Sequence, residues 1–157
     1  MTGKGTHEAR VILSDPAAAA AFGARLGRVA AVGDAITLSG PLGAGKTSIA
    51  RGILRELGLE SEAPSPSFAI VQPYDVPEVR IPVLHVDLYR IEDPEEAYEL
   101  GLDDARMDSL LLVEWPERLD DSTWSDALRL TIDVAPDGTR ALTADVPPAW
   151  KTRWPLT

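Results

Sequence analysis

An α/β fold with a mostly parallel sheet follows from three features of this 157-residue chain. Short apolar segments of strand length alternate with helical patterns along most of it. One segment, Leu110-Leu111-Leu112-Val113, is continuously apolar, as a strand covered on both faces must be. Another, Ala35-Ile36-Thr37-Leu38, runs into a glycine-rich turn and then a helical pattern, the strand–turn–helix unit of parallel sheets.

The elements follow in order. Glu8 to Leu13 predicts a first strand, and Ser14-Asp15-Pro16 a helix start, with a capping side chain before a proline at the first helical position. That helix is expected to run to about Val32. Asp34 to Ser39 reads as the strand feeding the turn, and Lys46 to Gly58 as a helix closed by its final glycine. Ser61 to Ser67, with Pro64 and Pro66, cannot continue a helix and predicts an exposed loop.

Phe68 to Tyr74 and Val79 to Val86 predict two strands around a turn at Asp75 to Glu78, Pro82 giving the second an edge position or an irregular start. Asp93-Pro94-Glu95-Glu96 opens another helix, with Glu96 three residues after the capping aspartate. Ala127 to Val134 and Thr139 to Val146 predict a hairpin around Pro136-Asp137-Gly138. The whole reads as one domain over residues 1–146, with helices on both faces of a mostly parallel core and antiparallel additions. Residues 147–157 are expected to form a poorly ordered tail.

Composition narrows the function. A net charge of −10, with no cluster of basic residues, argues against direct binding to tRNA or DNA. The chain has no cysteine, and its two histidines, His7 and His85, are too far apart for a zinc site. It shows neither an export signal nor a run of eighteen apolar residues, so a cytoplasmic location without membrane attachment is expected.

The most informative segment is Gly40-Pro41-Leu42-Gly43-Ala44-Gly45-Lys46-Thr47, a full match to the phosphate-binding loop pattern. Lys46 is the one lysine outside the terminal segments, set among twelve arginines elsewhere. Gly43 and Gly45 let the backbone wrap a polyphosphate closely. The amides from Gly43 through Ala44 and Gly45 to Ser48 then form an anion nest at the start of a helix. Lys46 adds a compact positive charge for the outer phosphates, and Thr47 a hydroxyl for a Mg²⁺ that bridges them. The sheet is therefore expected to be of the phosphate-loop NTPase kind, binding a nucleotide triphosphate.

Hydrolysis also needs a carboxylate on the metal side and a group that orients water. Two strands end in carboxylates: Val83-Leu84-His85-Val86-Asp87 and Leu110-Leu111-Leu112-Val113-Glu114. The longer apolar run favours Glu114 for the metal, with Asp87 orienting water or serving as a second metal partner. Pattern alone does not rank them cleanly. Judged singly, Trp115 reads as packing and His85 as a hydrogen-bonded structural histidine.

Together with Ser65-Pro66-Ser67-Phe68, His85-Val86-Asp87-Leu88-Tyr89-Arg90 and Glu114-Trp115-Pro116-Glu117, the loop forms an ordered set of four motifs. In these the chain resembles the TsaE (YjeE) family of bacterial ATPases, over roughly Leu13 to Leu142. The resemblance implies ATP held by Lys46 and the loop amides, and Mg²⁺ on Thr47 and Glu114. It makes Asp87 the residue needed for turnover and puts Trp115 close to the nucleotide. Ser65 to Phe68 would be a mobile loop near the γ-phosphate, and Ser14 and Asp15 would lie on the adenine side. Ser67 departs from the threonine of many relatives, keeping the hydroxyl and losing the β-branch. The resemblance further implies an accessory role in threonylcarbamoyl modification of a tRNA adenosine, through a TsaD–TsaB partner complex, with tRNA met only through those partners.

Other classes are weaker. A small-molecule kinase would need an acceptor pocket and a lid rich in arginine, and only Arg51 and Arg55 lie near the loop. A GTPase switch would carry Asn-Lys-x-Asp, which is missing. A non-enzymatic scaffold would release no phosphate in Mg²⁺.

Overall fold

A computed structural model describes residues 7–41, 43–60, 71–119 and 124–154. Seven strands form one sheet: β1 (His7–Leu13), β2 (Ala35–Ser39), β3 (Val71–Tyr74), β4 (Val83–Asp87), β5 (Leu110–Glu114), β6 (Leu128–Val134) and β7 (Arg140–Val146). Their order is β1-β7-β6-β2-β5-β4-β3. β2 lies parallel to β5 and β6, and β4 parallel to β5, while β1, β7 and β3 join antiparallel at the two ends. The predicted parallel core with antiparallel additions is thus observed.

Helix α1 (Pro16–Val29) begins where Asp15 accepts a hydrogen bond from the Ala18 amide at 2.7 Å, with proline at its first turn. It buries Ala19, Phe22, Gly23, Leu26 and Gly27, a single stripe at helical spacing. Helix α2 (Lys46–Glu56) buries Ile49, Ala50, Gly52, Ile53 and Leu54. The two helices meet closely, because a Cβ at Gly23 would strike the Ile49 carbonyl and one at Gly52 the Ala20 carbonyl. Their apolar stripes join Leu110 and Leu112 of β5 in one core. The opposite face is covered by α3 (Pro94–Tyr98) and α4 (Leu102–Arg106), where Ala97 and Leu102 pack with Val86, Leu111 and Val113. β5 is buried at every position, as its unbroken apolar run requires.

Several boundaries differ from the sequence reading. α1 stops at Val29 because Ala30 turns extended, with φ −72° and ψ 148°. β4 lies inside the sheet, so Pro82 marks its irregular start, and the edge strand β3 carries Pro73 instead. The largest correction concerns the tail, whose residues 148–153 form a 3-10 turn with Trp150 fully buried in the core. Arg153 ties that turn to Asp34 through a two-pronged ion pair of 2.6 and 3.1 Å. An apolar anchor and a fork-shaped charge pair order a segment whose composition alone suggested a loose end. Leu42, Ser65 to Phe68 and residues 155–157 lie outside the described residues.

Candidate functional site

Strand register assembles the site. Glu114 is opposite Leu38 on one side and Asp87 on the other, so Glu114 stands beside the strand that feeds the phosphate loop and Asp87 one strand further out. This is the carboxyl edge of a parallel sheet, where open α/β folds bind ligands.

The loop takes the conformation its glycines permit. Gly40, Gly43 and Gly45 have φ of 147°, 79° and 115°, and a Cβ at Gly40 would come within 2.8 Å of the Ile132 carbonyl oxygen. The Ala44 amide closes a turn onto the Pro41 carbonyl at 3.1 Å, while the Ala44 side chain is buried in the core. Gly45 caps α2 with no side-chain bond, which leaves the helix start open to an outside acceptor.

Lys46 is 5% exposed, and its ammonium donates to the carbonyls of Gly40 and Pro41, at 2.5 and 3.0 Å. Burial lowers its pKa, and the charges of Glu114, Glu117 and Asp87 partly oppose that shift. Trp115 covers the lysine and stacks in turn on Tyr89, with ring centres 4.8 Å apart.

Asp87 is also buried, and its Oδ1 accepts the Tyr89 amide at 2.8 Å. Burial pushes the Asp87 carboxyl above its usual range, the Tyr89 hydrogen bond pulling the other way. Glu114 Oε2 pairs with His85 Nε2 at 2.7 Å, both side chains being buried.

A cavity of about 390 Å³ joins these groups. It is lined by Gly43, Gly45, Lys46, Thr47 and Ser48 from the loop and helix, and by Asp87, Tyr89, Arg90, Glu114 and Trp115 from the neighbouring strand ends. Most sequence-predicted residues therefore meet in one place. Ser14 and Asp15 do not line the cavity, and the Asp15 carboxylate is engaged in capping α1. Gly40 contributes through its carbonyl on Lys46.

The structure adds residues that site reasoning did not select. Tyr89 and Arg90 line the cavity, a position their place just after Asp87 would have suggested. Arg140, at the start of β7, donates to the Gly43 carbonyl at 3.0 Å across 97 residues of sequence. Nothing in its local pattern marks that role.

The donor set suits magnesium. Among the described residues no cluster of three or more His, Cys, Asp or Glu side chains forms a cage. Mg²⁺ binds one or two carboxylates and completes its shell with phosphate oxygens and water, and Thr47, Asp87 and Glu114 supply hard oxygens on one cavity.

A mixed sheet with a parallel core and a glycine loop at a helix start, facing two strand-end carboxylates, defines a protein of the phosphate-loop α/β class. Within that class the chain belongs to the TsaE family, whose profile, described as threonylcarbamoyl adenosine biosynthesis protein TsaE, matches residues 13–142. A Streptomyces coelicolor protein named tRNA threonylcarbamoyladenosine biosynthesis protein TsaE is 39% identical over 115 residues, covering 73% of this chain and 78% of that one. The Rickettsia prowazekii protein of the same name is 44% identical over 85 residues, spanning 54% of this chain and 58% of its own length. The crystal structure of Bacillus subtilis YdiB superposes with a TM-score of 0.76 at 27% identity, over 94% of this chain and 92% of that one. The family thus places the chain in tRNA threonylcarbamoyladenosine biosynthesis. Among the described residues no helix is long and apolar enough to cross a membrane.

Proposed function

We propose that this chain is a Mg²⁺-dependent ATPase that serves threonylcarbamoyl modification of tRNA in the cytoplasm, acting through a TsaD–TsaB partner complex. The observation that carries this reading is the single cavity shared by the phosphate loop and the carboxylates of Asp87 and Glu114.

The loop amides and the Lys46 ammonium would bind the β- and γ-phosphates, Lys46 exchanging two backbone carbonyls for phosphate oxygens. Thr47 and Glu114 would hold Mg²⁺, which supplies charge neutralisation for the phosphates when bound. Asp87 would accept a proton from the attacking water. Burial raises the affinity of its carboxylate for that proton. Trp115 and Tyr89 would keep bulk water off the lysine side.

The chain's acidity supports a reading in which tRNA would be met through partners, since an anionic surface does not favour gripping tRNA unaided. Phosphate release from ATP, measured with and without the TsaD–TsaB pair, tests the reading. Lys46→Ala should abolish release and the tRNA modification that depends on it. Identical rates for that variant and the unaltered chain would defeat the proposal.

A further inference from the structure

His85 lies fully buried within β4, two residues before Asp87 and therefore on the same face of the strand. Its Nε2 meets Glu114 Oε2 at 2.7 Å, and its Nδ1 has no hydrogen-bond partner among the described residues. A carboxylate only accepts, so Nε2 carries the shared proton. The imidazole thus sits one step deeper than the cavity floor, and its one hydrogen bond goes to a cavity carboxylate.

Lys46 and Glu114 line the same cavity with opposite charge. Such groups attract strongly where water is scarce. Yet no ion pair joins them: Lys46 is held by the Gly40 and Pro41 carbonyls, and Glu114 by His85. A glutamate free of that tether would be drawn toward the ammonium, into the place where phosphates would lie.

We infer that His85 is a positioning residue whose hydrogen bond holds the Glu114 carboxylate away from Lys46, keeping the phosphate seat open and one carboxylate oxygen available to a divalent cation. The inference rests on reading the cavity as a Mg²⁺–nucleotide site.

Calorimetric titration of the full chain with a non-hydrolysable ATP analogue, in Mg²⁺ and in EDTA, tests it. His85→Leu should weaken binding roughly tenfold in EDTA and remove most of the gain that Mg²⁺ gives, because Glu114 then occupies Lys46. His85→Gln, which offers an amide N–H where Nε2 stood, should recover most of both. His85→Leu combined with Glu114→Gln should recover the EDTA affinity without the Mg²⁺ gain, a rescue that a purely structural histidine would not show. The double variant also buries no unpaired charge, so it carries the test if His85→Leu does not fold. Unaltered binding by His85→Leu in both conditions, or a double variant about tenfold weak in EDTA, overturns the role alone. No binding by the unaltered chain overturns the nucleotide reading and this role with it.

Discussion

The Lys46 ammonium lies 4.3 Å from the centre of the Trp115 ring, and Trp115 holds that position on a left-handed backbone with φ 61°. A bulky residue in that region is strained, and such strain persists where surrounding structure enforces it. The Trp115 amide is bonded to the Leu38 carbonyl at 3.1 Å, which pins the turn against the strand feeding the phosphate loop. The indole is therefore placed to report on the lysine.

Binding of ATP and Mg²⁺ should draw Lys46 toward phosphate and change the polarity around the Trp115 ring. Intrinsic fluorescence should then shift on nucleotide addition, and Trp115→Phe should remove that shift. Affinity should change only severalfold in the variant, since a cation–π contact contributes about 0.5–2 kcal/mol and phenylalanine keeps part of it. A full shift persisting in Trp115→Phe would assign the signal to another tryptophan.

Asp87 predicts an opposition between stability and activity. Its folded-state pKa is raised, first by burial, so between the ordinary value of 3.8 and the raised value the folded protein binds more protons than the unfolded chain. Stability from this group is full below that window and is lost as pH rises through it. Asp87→Asn should therefore raise the melting temperature at neutral pH, by about 2–4 °C if the desolvation relieved is near 1 kcal/mol. The gain should vanish at acid pH, and ATP hydrolysis should fall far more than ATP binding. A variant less stable than the parent at neutral pH would contradict this sign.

What was legible in the sequence was what local chemistry decides. The phosphate loop, the Asp15 cap, the Asp93–Glu96 capping box and the apolar run of β5 each involve residues within a few positions of one another. Partners across strands were not legible. Glu114 meets His85 and Trp115 covers Lys46 because β5 lies between β2 and β4, an order no short pattern states. The same holds for Arg140 on the loop carbonyl. The register also bears on a ranking left open, since Glu114 adjoins the loop-bearing strand directly and Asp87 stands one strand further away.

The contact of α1 with α2 makes a packing prediction. Gly52 faces the Ala20 carbonyl with no room for a methyl group, on the helix that also carries Lys46 and Thr47. In an exposed helix Gly→Ala is stabilising, by about 1 kcal/mol. Here the sign should reverse, with a loss of about 1–3 kcal/mol from overpacking against backbone that cannot yield. Urea denaturation measures this, and a stabilised Gly52→Ala would show that the helices separate freely.

The C-terminal turn provides a test that discriminates between composition and packing. Trp150 is fully buried, with the Arg153 guanidinium 3.8 Å from its ring centre, while Arg153 also donates to the Val29 carbonyl and to Asp34. The turn thus clasps the end of α1 and the residue just before β2. Trp150→Ala should cost about 3–5 kcal/mol, the usual range for emptying an indole site in a core. Arg153→Ala should cost less, about 1–3 kcal/mol, because it leaves the mostly buried Asp34 carboxylate without its charged partner. Both losses should appear in urea unfolding of the nucleotide-free chain, because neither residue touches the cavity. A loosely attached tail would make both substitutions silent, so two unchanged midpoints would remove the clasp from the fold.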